Sequence, residues 1–252
     1  MKINKNGKDT EKQSAEPVAE QQRELQPVGE EQVALQSDKM RNKPIGKLLL
    51  EMSLPAIFSM LVQSLYNIVD SLFLTNITYV EEGYKGLNIG KDSFNAVSIV
   101  MPMTMFVTAV AIGIGVGANA YIARKLGEGN RESANKGAKT AIVMALFAWA
   151  IMAVMAFTLS RPFVQAFVND GNATDVNYVV EKGTMYLTIY MAASGGVTLD
   201  IVSARILQAT GNMKVPMISQ LIGAVTNIVL DALFIMVFKM GVFGAILATV
   251  IG

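Results

Sequence analysis

From residue 48 onward, long apolar runs alternate with short polar breaks. The first is Leu48–Ile77, LLLEMSLPAIFSMLVQSLYNIVDSLFLTNI, and 94–122, 137–159, 178–207 and 215–238 follow. A sixth run, 242–252, begins at Val242 and stops at Gly252 while still apolar. About 20 apolar residues suffice for a helix to cross the hydrocarbon core of a bilayer. A soluble helical core would need polar faces repeating at helical period, and these runs lack them. The pattern therefore predicts an all-α polytopic membrane protein with five complete spans and an incomplete sixth. A stop inside an apolar span implies a native chain that continues beyond Gly252.

Residues 1–44 are of another kind. Residues 1–40 carry 6 of the chain's 21 Lys/Arg and 8 of its 20 Asp/Glu, with few large apolar side chains. Such a segment cannot bury enough surface to offset its ordering entropy, so a disordered tail is expected. It has no apolar stretch before a cleavage site and is not a secretory signal. The whole chain is 52% hydrophobic and 16% charged, against about a quarter charged in ordinary soluble domains. A net charge of +1 gives no reason to expect nucleic-acid binding. With no cysteine there is no disulfide framework or thiolate metal site. With no histidine, proton chemistry near neutral pH falls to carboxylates.

Lys and Arg set the expected orientation, because cytoplasmic loops are enriched in them. With the N-terminus inside, Arg41, Lys43, Lys47, Arg124, Lys125, Arg131, Lys136, Lys139, Arg205 and Lys214 are cytoplasmic; Lys85, Lys91, Arg161, Lys182 and Lys239 are external. The asymmetry predicts a multi-pass protein of the plasma (cytoplasmic) membrane with a cytoplasmic N-terminus.

Three carboxylates lie well inside spans: Asp70, Asp200 and Asp231. A charge at the centre of a membrane helix costs about 2.5–3.5 kcal/mol on insertion scales, so such an acid points to function. The structural alternative is a helix-packing hydrogen bond or a salt bridge. At a rise of about 1.5 Å per residue, Asp70 and Asp231 fall roughly 9 and 7 Å to the external side of their helix midpoints. Asn227 lies one turn deeper than Asp231 on the same face, and Thr249 reaches a similar level in the sixth span. Asp200 falls about 10 Å to the cytoplasmic side, where pairing with Arg205 or a basic loop is expected. Two carboxylates, an amide and a hydroxyl offer oxygen ligands suited to a hard cation. Two close carboxylates do not both ionise readily without a cation, so the cluster suits a sodium ion or a proton.

Gln63 and Asn67 extend the polar stripe of the first span below Asp70 and Ser71. The stripe cannot face lipid; it either lines a cavity or bonds to neighbouring helices. Glycines 113, 115 and 117 superficially fit a dinucleotide fingerprint, but no strand precedes them, so helix packing or bending is the reading. Pro55 and Pro102 interrupt backbone hydrogen bonding inside the first two spans, as static kinks or as bending points. The sixteen methionines suit an adaptable apolar cavity only weakly, membrane helices being rich in them.

GIGVGANAYIARKLGEGNRESANKGAKTAI (113–142), LPAIFSMLVQSLYNIVDSLFL (54–74) and ARILQATGNMKVPMI (204–218) resemble helices 2–3, helix 1 and the helix 4–5 turn of multidrug and toxic compound extrusion (MATE) transporters. The resemblance runs over roughly residues 45–252 and implies the N-terminal six-helix lobe of a two-lobe, twelve-helix transporter. It implies that Asp70, Asn227, Asp231 and Thr249 form a cation-coupling site, a possible sodium site, and that Gln63 and Asn67 line the substrate cavity. Asp200 is not a feature of the family pattern. The function implied is export of small organic, often cationic, compounds in exchange for sodium or protons, with no cofactor beyond that coupling ion. A C-terminal lobe and membrane lipid are the expected partners. The alternatives are a lipid-linked oligosaccharide flippase of related fold, whose cavity is usually more basic, and an intramembrane aspartyl protease. The protease would need Tyr-Asp and Gly-x-Gly-Asp signatures, but Asp70 follows Val69 and Asp231 follows Leu230. A non-enzyme is therefore expected.

Overall fold

A computed structural model describes residues 44–77, 89–168 and 175–252. Its elements are α1 (Ile45–Thr75), α2 (Ile89–Gly127), α3 (Arg131–Phe167), α4 (Val176–Ala209), α5 (Lys214–Asp231) and α6 (Gly241–Ile251). A π-helix over Ala232–Val237 continues α5 without a break. No strand occurs among the described residues. Five helices, the π continuation of α5 included, are long and apolar enough to cross a membrane. The expected tail, 1–44, lies outside the described residues but for its last residue, as does most of the loop after α1.

Most helices extend past the apolar runs that announce them. α2 begins at Ile89 rather than 94, and α3 runs over 131–167 rather than 137–159. Hydropathy marks only the part that meets hydrocarbon, whereas polar turns outside it stay helical where side chains cap them. The Asn130 side chain accepts from the backbone N–H of Ser133 (3.0 Å) and starts α3; Asp175 does the same for Tyr178 (3.0 Å) and starts α4. Such caps satisfy backbone donors that the first turn leaves free. The α2–α3 reversal needs only three residues because Gly129 takes φ +74°, a conformation open to glycine.

α4 is the centre of the bundle. It packs against α2 and α3 along its length and touches α6, while α1 lies mainly against α5. Short connections between successive helices make neighbours antiparallel. The side where α1 begins is called the first side below, and the side where it ends the second. Membrane helices gain nothing from hydrophobic transfer when they meet, so small residues and polar contacts bind them. At the second side the Asp175 backbone N–H donates to Asp92 Oδ2 (3.2 Å), and the Ser93 and Tyr178 hydroxyls share a 2.8 Å hydrogen bond. Toward the first side Asn119 Nδ2 donates to the Arg205 carbonyl (2.8 Å). Between them, Trp149 of α3 lies over Gly195 of α4 and donates from Nε1 to the Ala192 carbonyl (2.9 Å).

The glycine run of α2 splits by role. A Cβ on Gly115 would lie 2.7 Å from Arg205 Cγ, whereas Gly113 and Gly117 have nothing within 4 Å. One glycine of the three serves packing. The outward face of α3 is apolar, with Phe147 at 69% and Phe157 at 77% exposure. That surface is what a lipid-facing helix of a multi-pass membrane protein presents.

Candidate functional site

α1, α4, α5 and α6 converge on one polar cluster in the half of the bundle nearer the second side. Asp70 stands five residues before the end of α1, roughly 8 Å along the helix. Asp231 closes α5 and Asn227 lies one turn before it, both buried. Asp231 is near enough to Asp70 for their charges to interact. Thr249, two turns into α6, donates its hydroxyl to the Ala245 carbonyl (2.9 Å) and is hydrogen-bonded to the Tyr186 side chain.

The hydrogen-bond inventory sets this cluster apart. Among the described residues, the buried side-chain oxygens without a partner are Asp70 Oδ1, Asn227 Oδ1, both oxygens of Asp231, and Thr184 Oγ1. All but the last belong to the cluster. Buried polar atoms are nearly always paired, since an unmet one costs about 1–3 kcal/mol and a charged one more. Among the described residues, neither the helix-packing bond nor the salt bridge that could have explained Asp231 structurally is present. Acceptor oxygens from an amide and two carboxylates match a monovalent cation or a proton, either of which would satisfy them. No group of three or more His, Cys, Asp or Glu that could hold a metal occurs among the described residues.

Tyr186 is the member that sequence reasoning missed. It is buried on α4, meets Thr249, and lies within electrostatic reach of Asp70, Asp231 and Tyr190. Tyr66 of α1, one turn before Asp70, interacts with Gln63, Asp70 and Tyr190. Tyr66 and Tyr186 both lie within electrostatic reach of Asp70 without hydrogen-bonding its unpartnered oxygen. Their one-turn spacings, 66 to 70 and 186 to 190, are the signal in the sequence. Tyrosine is common enough in membrane helices that this spacing alone does not stand out.

The π-helix begins at the residue after Asp231, with the Phe238 N–H reaching Leu233 O (2.9 Å), five residues back. Short π segments interrupt α-helices mostly at functional sites, because they shift the facing of everything beyond them. Asn227 and Asp231 share the inward face as residues one turn apart in the α-helix before it, and Ile235 alone of the π segment is buried.

Gln63 and Asn67 are both exposed on the lobe, and among the described residues neither bonds to a neighbouring helix. Asp200 departs from expectation. It is exposed and forms no ion pair among the described residues, and the Arg205 guanidinium donates to Gln208 Oε1 (3.0 Å) instead. Five residues along a helix is about 140° around it, so Asp200 and Arg205 point to different sides.

Comparison with known proteins agrees with this architecture. A family model described as MatE matches residues 55–233. The probable multidrug resistance protein NorM of Thermotoga maritima is 26% identical over 214 residues, covering 82% of this chain and 42% of NorM. The FAD transporter of Shewanella oneidensis is 24% identical over 212 residues with the same coverage. The solved structure of the MATE multidrug transporter DinF-BH superposes with a TM-score of 0.73 at 32% identity, over 83% of this chain and 43% of that one. The chain thus spans about two fifths of the length of the relatives it matches and corresponds to one lobe of them. With a family match over most of its described residues, this chain belongs to the MatE family of MATE transporters.

Proposed function

We propose that this chain forms the cation-coupling lobe of a secondary antiporter that exports small organic compounds in exchange for sodium ions or protons. The observation that carries the reading is the buried Asp231 carboxylate, with both oxygens unpartnered, beside Asp70 and Asn227 Oδ1. A site of this kind holds a cation or a proton, and two nearby carboxylates change their mutual repulsion when it leaves. That change gives the gradient a lever on the packing of α1 against α5 and α6, the helices that carry the site. A second six-helix lobe facing this one across a central cavity completes the proposed transporter, and rocking of the two lobes exposes the cavity to each side in turn. The cytoplasmic N-terminus and the plasma-membrane location belong to the same proposal, resting on the distribution of Lys and Arg. Exposed Gln63 and Asn67 supply polar groups to the cavity wall.

The cargo follows from charge. The cavity side of α1, α4 and α5 carries acids, amides and hydroxyls, so compounds bearing an amine or a delocalised positive charge fit it. The test is export of ethidium from proteoliposomes of the full-length protein, with sodium and pH gradients imposed one at a time. Export driven by either gradient agrees with the proposal; export driven by neither contradicts it.

A further inference from the structure

The α2–α3 reversal carries a charge pattern that the cation cluster does not use. Five Lys/Arg and two Asp/Glu stand between residues 124 and 139. Glu128 pairs with Arg124 (2.9 Å) and Lys125 (2.7 Å), and Glu132, the only acid of α3, pairs with Lys136 (2.7 Å). Arg131 and Lys139 are exposed and form no ion pair among the described residues. They and exposed Asn135 follow at four-residue intervals, so the three stack along one side of the helix.

Depth places this stack at a membrane surface. From Lys139 the next charged residue along α3 is Arg161, about 33 Å away, and a hydrocarbon core is about 30 Å thick. Lys139 thus lies at the first-side edge of the hydrocarbon, with Asn135 at headgroup level and Arg131 just beyond it. Side chains tilt toward the N-terminus of their helix, here outward, so the Lys139 stem can lie on apolar surface while its ammonium reaches the phosphates. On the hydrocarbon side of Lys139, exposed Val143, Leu146, Val154 and Phe157 lie within about 60° of it around α3. Buried Ala141, Ala145 and Met152, which face the bundle, lie about 120–160° away from it.

This face is also remote from α6. Gly195, which meets Trp149 of α3, and Tyr186, which meets Thr249 of α6, point to opposite sides of α4. α3 packs on α2 and α4, while α6 packs mainly on α4 and α5, with Gly252 against Gly223 and Asn227. The exposure of the α3 face is therefore not set by where α6 stops.

We infer that this face of α3 binds an anionic phospholipid of the first-side leaflet. The phosphate sits on the Lys139 ammonium, the Asn135 amide meets the rest of the headgroup, and Arg131 adds attraction from just beyond. An acyl chain runs along Val143, Leu146, Val154 and Phe157. Charge complementarity selects this occupant: a zwitterionic headgroup brings its own cation, and Glu132, the one acid nearby, is held by Lys136. Each base at such a surface adds about fivefold in affinity for an anionic lipid. Binding of this kind needs neither cargo nor coupling ion, so it holds independently of the antiport reading.

Native mass spectrometry of the full-length protein, given phosphatidylglycerol and phosphatidylcholine of equal chain length in equal amounts, tests this. Wild type should retain phosphatidylglycerol in preference. Lys139→Gln should lower phosphatidylglycerol affinity about fivefold, and the double variant Arg131→Gln, Lys139→Gln further, with phosphatidylcholine binding unchanged. Lys139→Arg should keep the preference. A wild type that takes the two lipids alike overturns the inference and leaves the face to ordinary solvating lipid. A preference untouched by the double substitution overturns it too, as does an equal loss of both lipids.

Discussion

Two adjacent glycines of α4 should respond to the same substitution with opposite signs. A methyl group added at Gly195 would sit 2.9 Å from Trp149 Cδ2 and Cε2 and 3.0 Å from Nε1. The indole cannot retreat without stretching its 2.9 Å bond to the Ala192 carbonyl. Overpacking of this kind costs about 1–3 kcal/mol, and loss of the hydrogen bond adds about 1 kcal/mol. Alanine returns up to about 1 kcal/mol of helix propensity, so Gly195→Ala should be destabilising by about 1–3 kcal/mol. At Gly196 the new methyl meets nothing within 4 Å. Gly196→Ala should then keep the propensity gain and be stabilising by up to about 1 kcal/mol. Trp149 is the only tryptophan, so thermal unfolding in detergent followed by its fluorescence reads the α3–α4 contact directly. Gly195→Ala should melt below wild type with altered emission, and Gly196→Ala at or above it with emission unchanged. A Gly195→Ala protein as stable as Gly196→Ala would refute the account of α3 packing on α4.

Asp231→Asn should raise the melting temperature in sodium-free buffer above neutral pH, because it removes an uncompensated buried charge; a lower melting temperature under those conditions would show Asp231 paired after all. Glu128 accepts from Lys125 Nζ (2.7 Å) and Arg124 Nε (2.9 Å), and these bonds, Lys125's first, hold its carboxyl below the ordinary value of 4.5. A depressed folded-state value makes the stabilisation fully present above about pH 4.5 and lost as pH falls through the lower one. Hydrogen exchange over residues 124–131 should therefore be flat, once corrected for intrinsic rates, from about pH 7 to 5 and rise only below that, and Glu128→Gln should remove the dependence. The chain has no cysteine, so single cysteines at Glu132 and Lys239 report orientation. An impermeant maleimide on intact cells should label Lys239→Cys and spare Glu132→Cys, and the reverse pattern would turn the protein over.

The spans were legible because membrane solvent makes apolarity nearly sufficient to mark a helix. Their ends were not, since Asn130 and Asp175 prolong α3 and α4 through local caps that hydropathy does not register. The acids of the cluster stood out for the same reason as the spans: Asp70 and Asp231 are costly where they are, and simple rise per residue put them at one level. Tyr186 stayed hidden because a tyrosine in a membrane helix carries no such cost, and only the packing of α4 against α6 brings it to Thr249. The π-helix was equally invisible, as ALFIMV is an ordinary apolar stretch whose geometry depends on its neighbours. Asp200 was expected to find a base because Arg205 is near in sequence. Rotation around the helix separates them.

The central claim is that the Asp70–Asn227–Asp231–Thr249 cluster holds the coupling cation, and Asp231→Asn tests it with the least disturbance of shape. Wild type and variant should be reconstituted at matched density and ethidium export followed under an inward sodium gradient and, separately, an inward proton gradient. The account predicts export by the wild type under at least one gradient, and none by Asp231→Asn under either, with ethidium binding by the variant retained. Normal gradient-driven export by Asp231→Asn would contradict it.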